Sequence, residues 1–226
     1  MMPVNTETYH ELVTELKSKY VTLVAVSKTK SVEEIKKLYN LGQRDFGENY
    51  VQELVEKAEQ LPIDIRWHFI GHLQRNKVKN IIPLVHFIQT VDSLRLLKEI
   101  NKQAEKNNKV IDCLLQVHIA CEETKFGFDK DELKELLISN SGILQEFKNV
   151  NIKGLMGVAT LTDDMSLIRR EFKELKSLFD KINNQNSLLN IQFPILSFGM
   201  TADYKVAIEE GSNMVRIGSL IFGERN

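Results

Sequence analysis

Two textures alternate along the chain. Short apolar runs of strand length are separated by longer charged segments in which apolar residues recur at helical spacing. The first run is Val21–Val26. It is followed by Ser31–Leu38, where Ser31 and Glu34 have the spacing of a capping box and Val32, Ile35 and Leu38 share one helical face. Gly42 marks the stop of that helix. The same reading predicts further strands at Arg44–Gly47, Arg66–Ile70, Val85–Thr90, Val110–Ile119, Ile152–Val158, Ile195–Phe198 and Met214–Ile217. Between them it predicts helices over Tyr50–Gln60, Gln74–Ile82, Ser93–Lys106, Asp129–Leu137, Asp164–Ile182 and Ala202–Glu210, with a further helix before the first strand.

Counted this way there are about eight strand-then-helix units of roughly 28 residues each in 226 residues. Strict alternation implies parallel strands joined by right-handed crossovers. Eight units without a linker-like stretch point to a closed (β/α)8 TIM barrel, one domain over 1–226. An open doubly wound sheet is the alternative, but its glycine fingerprint after the first strand is absent.

Composition narrows the function. Hydrophobic residues are 42% and charged residues 27%, the balance of an ordinary globular protein rather than a disordered or fibrous one. Thirty basic against thirty-one acidic residues leave a net charge of −1, so no basic excess is available for a nucleic-acid backbone. No window approaches the roughly 20 apolar residues of a membrane span. The first residues lack the order of a secretory signal, which predicts a cytoplasmic protein. Cys113 and Cys121 cannot form a disulfide framework and have no metal-ligand spacing.

In a barrel of this kind the chemistry lies at the C-terminal ends of the strands. The first strand ends in Val26-Ser27-Lys28. Period-two alternation puts Val24, Val26 and Lys28 on one face, so an inward Val24 and Val26 imply an inward Lys28. Burial favours the neutral amine, which makes Lys28 a candidate Schiff-base nucleophile; a solvated loop lysine is the plainer alternative. The seventh strand ends in Ser197-Phe198-Gly199-Met200-Thr201 and the eighth in Arg216-Ile217-Gly218-Ser219. Barrels often bind phosphate at these two places. Thr201 can cap the next helix, Gly218 allows close backbone approach, and Ser219 adds a hydroxyl; helix capping alone would also explain the pattern.

Arg216 shares a face with Met214 and Gly218 and needs an acceptor, either a ligand ring nitrogen or an acid such as Glu48. Asn49 reads equally as a ligand contact or a helix cap. His68 and His72 lack a third metal ligand, so no metal is expected, and His72 reads as a pocket-lining group. Asp163-Asp164 starts the long helix.

The segments Val24–Lys28, Phe46–Glu53, Trp67–Gln74, Ser197–Asp203 and Met214–Gly223 closely resemble the pyridoxal phosphate homeostasis protein family, single-domain relatives of the alanine racemase barrel domain. The resemblance implies a pyridoxal 5′-phosphate (PLP) site in which Lys28 forms the internal aldimine. Thr201, Gly218 and Ser219 would then hold the phosphate, Arg216 would face the pyridine nitrogen and Asn49 would line the ring. It also implies a monomer. Thr201 stands where the family usually has serine, and Thr160 where proline is common.

An arginine at the ring nitrogen disfavours its protonation and weakens the ring as an electron sink. The eight units consume nearly all 226 residues, leaving no room for the second domain of a racemase. A racemase needs acid–base groups on both faces of the substrate carbon, and only Lys28 is assignable. The expectation is therefore a PLP holder that buffers or delivers the cofactor, with amino acids or PLP-dependent apoenzymes as further partners. A weak PLP-dependent amino-acid racemase is the alternative. An aldolase using Lys28 on a sugar phosphate is a third, remoter possibility.

Overall fold

Ser31 caps the helix that follows the first strand: its side chain accepts from the Glu34 N–H, and the Glu34 carboxylate accepts from the Ser31 N–H. Gly42, at φ +100, terminates the same segment. Such local signals recur around a closed parallel barrel in the computed structural model, which describes residues 4–120, 126–139, 146–186 and 193–223.

The strands are β1 (Thr22–Val26), β2 (Asp45–Glu48), β3 (Arg66–Phe69), β4 (Phe87–Val91), β5 (Ile111–Val117), β6 (Val150–Gly157), β7 (Ile195–Met200) and β8 (Met214–Ile217). Each pairs in parallel with the next, and β8 closes on β1 with Val24 opposite Arg216. The helices are α1 (Thr6–Ser18), α2 (Val32–Asn40), α3 (Val51–Ala58), α4 (Val78–Ile81), α5 (Leu94–Lys106), α6 (Lys130–Lys134), α7 (Met165–Asn186), α8 (Tyr204–Glu209) and α9 (Ser219–Phe222). The N-terminal α1 packs Tyr9, Leu12 and Leu16 into the core.

Two predicted helices differ from the expectation. The segment Gln74–Ile82 is a 3-10 turn over Arg75–Lys77 followed by the single turn α4. Ile82 keeps helical dihedrals (φ −52, ψ −40) although Pro83 follows it. Over Asp129–Leu137, α6 passes into a π-type turn at Glu135–Ser139. β6 starts two residues earlier than expected because Val150 pairs with Ile111 at the foot of the long β5.

Most apolar side chains fill the layer between sheet and helices, among them Leu23, Ala25, Ile35, Leu38, Phe172 and Phe198. The barrel interior is different. There Phe87, Leu114 and Met156 form a small apolar cluster, and a chain of polar side chains runs beside it. Asp45 accepts from Arg66 and from His68 Nε2 (3.1 Å); Gln89 Nε2 donates to His68 Nδ1 (2.9 Å). Ser197 Oγ donates to Gln89 Oε1 (2.8 Å) and accepts from Arg216 (2.6 Å). Since Gln89 is on β4 and Ser197 on β7, the chain crosses the interior. Burial raises the Asp45 carboxyl, but the hydrogen bonds from His68 and Arg66 outweigh it and hold the group well below the usual carboxylate range.

No helix among the described residues is long and apolar enough to cross a membrane. Also among them, no group of three or more His, Cys, Asp and Glu gathers as a metal site. Cys113 is buried, and burial pushes its thiol far up; Cys121 lies outside the described residues.

Candidate functional site

At the end of β1 the chain turns sharply, with the Lys30 N–H donating to the Ser27 carbonyl (3.0 Å). Lys28 and Thr29 form the centre of this turn, and Thr29 has φ +66. Lys28 there lines a cavity of about 410 Å³, together with Val26, Asn49, Met156, Arg216 and the turns after β7 and β8. That volume lies in the usual range for small-molecule sites, roughly 300–1,000 Å³. All six residues singled out from the sequence (Lys28, Asn49, Thr201, Arg216, Gly218 and Ser219) meet on its wall.

Arg216 comes up from β8 and is 4% exposed. Its guanidinium donates to the Ser197 carbonyl (3.1 Å), Ser197 Oγ (2.6 Å) and the Gly157 carbonyl (2.9 Å). Burial lowers its pKa to about 10, against the raising influence of Asp203, so it stays cationic at neutral pH. Glu48 is not its acceptor. That carboxylate is fully buried beneath the turn of Lys28, bonded to Lys57 (2.8 Å) and Ser27 Oγ (2.6 Å).

Asn49 does not cap α3. The capping position is Tyr50, without a side-chain cap, and the buried Asn49 Oδ1 has no hydrogen-bond partner among the described residues. Its backbone is fixed by Gly71, where a Cβ would fall 2.1 Å from the Asn49 carbonyl oxygen. Thr201 does not cap α8 either. Asp203 takes that position, its carboxylate accepting from the Met200 N–H. Instead, Thr201 Oγ1 accepts from the Gly218 N–H at 3.4 Å, which ties the two terminal turns together. The close approach made by Gly218 is to β1: a Cβ there would meet the Val26 carbonyl oxygen at 3.1 Å.

The remaining candidates lie elsewhere. His68 is in the barrel interior, stacked on Phe87 with ring centres 5.3 Å apart. His72 does not line the Lys28 cavity. It stacks on Phe126 and pairs with Asp92 at 3.1 Å beside a separate cleft. The side chain of Asp164 caps α7 through the Ser166 and Leu167 N–H groups. Thr160 donates its N–H and its hydroxyl to Glu171, so the loop after β6 uses an N–H that proline lacks. A larger cleft of about 660 Å³ lies between α5 and α6, with walls that carry Asp92, Glu132 and Glu135 against Arg95 and Lys98. None of the six residues lines it.

Sequence reasoning missed Gly71, Glu53 and Lys57. The latter two look like an i,i+4 surface pair, yet Lys57 follows Leu54 by three residues and shares its buried face. That spacing was the available signal.

The family model described as alanine racemase, N-terminal domain, matches residues 5–226. The pyridoxal phosphate homeostasis protein of Aquifex aeolicus is 43% identical over 204 residues, covering 90% of this chain and 86% of that protein. PipY of Synechococcus elongatus PCC7942, solved without PLP, superposes with a TM-score of 0.88 at 31% identity, covering 96% of this chain and 99% of that one. With PLP bound, PipY gives 0.82 at 30% identity, covering 94% and 99%. Alanine racemase of Clostridium difficile 630 shares the fold, with a TM-score of 0.76 at 15% identity over 99% of this chain and 58% of that one. On these matches the chain belongs to the pyridoxal phosphate homeostasis protein family, built on the alanine racemase N-terminal barrel.

Proposed function

We propose that residues 1–226 act as one cytoplasmic, monomeric barrel domain that holds PLP and buffers or delivers it. The observation that carries this reading is the gathering of Lys28, Asn49, Arg216 and the two terminal turns on one cavity. The residues present suit the cofactor. Asn49 offers a buried acceptor without a partner among the described residues, and Arg216 offers a cation locked by three hydrogen bonds. Thr201, Gly218 and Ser219 supply hydroxyl and backbone donors at the end where barrels take phosphate.

When bound, PLP supplies an electrophilic aldehyde and an electron-accepting ring. Lys28 would be the covalent attachment point, since its side chain lines the cavity that would receive that aldehyde. Arg216 would be the group beside the ring nitrogen, where its charge would oppose protonation of that nitrogen. Thr201 and Ser219 would orient the phosphate. Recipients of the cofactor would be PLP-dependent apoenzymes.

Titration of the purified protein with PLP tests the reading. A saturable visible absorbance band at one equivalent is expected, and Lys28→Ala should lose it. Protein that takes up no PLP refutes the proposal. Exchange of an amino acid α-proton with deuterated solvent, with turnover, would instead establish the racemase alternative.

A further inference from the structure

Glu48, Glu53 and Lys57 do not line the Lys28 cavity, yet all three grip the turn that carries Lys28. The side chain of Lys57 is 6% exposed. Its ammonium donates to Glu48 Oε1 (2.8 Å), Glu53 Oε1 (2.7 Å) and the Ser27 carbonyl (2.7 Å). Glu53 Oε1 in turn accepts from the Thr29 N–H, and Glu48 Oε1 accepts from Ser27 Oγ at 2.6 Å. The carbonyl just before Lys28 and the N–H just after it are therefore both bonded to one ion cluster. These are the two peptide groups that set the direction of the Lys28 side chain.

Thr29 makes the grip necessary. Its φ of +66 is the left-handed region, which is unfavourable for a β-branched residue and persists only where surroundings enforce it. The enforcing contact is the charge-assisted bond from its N–H to Glu53.

We propose that Glu48, Lys57 and Glu53 form a positioning cluster that holds the strained Ser27–Lys30 turn and so presents the Lys28 amine to the aldehyde of an incoming cofactor. This inference rests on the reading of the cavity as a PLP site. Glu53 is the residue to remove. It is partly exposed, and without it Lys57 keeps Glu48 and the Ser27 carbonyl, so no buried charge is stranded.

Retention of PLP on Lys28 is measured by absorbance and by mass after borohydride reduction, alongside thermal unfolding. Glu53→Ala is expected to retain PLP roughly tenfold less tightly than wild type, as loss of one charge-assisted bond implies. Adding Thr29→Gly should recover much of that loss, because glycine takes positive φ without steric cost. Glu53→Gln keeps an acceptor oxygen for the Thr29 N–H and should retain most of the cofactor. Equal retention by Glu53→Ala and wild type overturns the inference. So does a double variant no better than Glu53→Ala, or a Glu53→Gln that loses fold and cofactor together. Wild type that takes up no PLP refutes the cavity reading instead, which separates the two failures.

Discussion

Arg216 shows how a buried cation is made tolerable in this barrel. Three hydrogen bonds to Ser197 and Gly157 replace its lost hydration, and Ser197 is itself held by Gln89. Asn49 is the opposite case: its buried side-chain oxygen has no partner among the described residues. A buried amide left this way costs free energy that a ligand contact can return. Its position depends on Gly71, since no side chain fits between residue 71 and the Asn49 carbonyl. Gly71→Ala is therefore expected to destabilise the fold by about 1–3 kcal/mol and to weaken PLP uptake, as urea unfolding and absorbance titration would register. Unchanged uptake would remove Asn49 from the site.

Among the elements, those with a strong local signal were legible from sequence. The capping box at Ser31 and Glu34 forms as its spacing demands, and β8 has the bounds Met214–Ile217 expected from its apolar run. Ser31→Ala should cost about 1 kcal/mol, read as a lower urea midpoint with unchanged m-value and unchanged PLP binding. The cap of α8 was not legible. Thr201 precedes α8 as a plausible cap, but Asp203 is nearer the first turn and takes the position, which leaves the Thr201 hydroxyl for Gly218. Lys57 was hidden for a related reason. A lysine four residues from a glutamate reads as solvated, and only the packing of α3 against the end of β1 shows that it is buried.

At the scale of the whole molecule, barrel closure completes the site. β1 pairs with β8, with Ala25 opposite Ile217, so Lys28 from the start of the chain stands beside Gly218 and Ser219 from its end. The rule that chemistry lies at strand ends picked out residues that line one cavity. It did not reveal the polar chain from Arg66 to Arg216, because which side chains meet across the barrel is set by its closure and leaves no spacing signal along the sequence.

That chain predicts a pH dependence. The Asp45 carboxyl is depressed in the folded state, so its contribution is present above the ordinary aspartate pKa near about 4 and fades as pH falls below it. The stability advantage of wild type over Asp45→Asn should thus be full at neutral pH and shrink toward pH of about 2. An advantage that grew on acidification would contradict the assignment.

The most direct measurement is site mapping. The protein is incubated with one equivalent of PLP, reduced with borohydride and digested, and the modified peptide is identified by mass. A single label on Lys28, absent from Lys28→Ala, is the predicted result; a label that persists in that variant, or that falls on another lysine, would contradict the account.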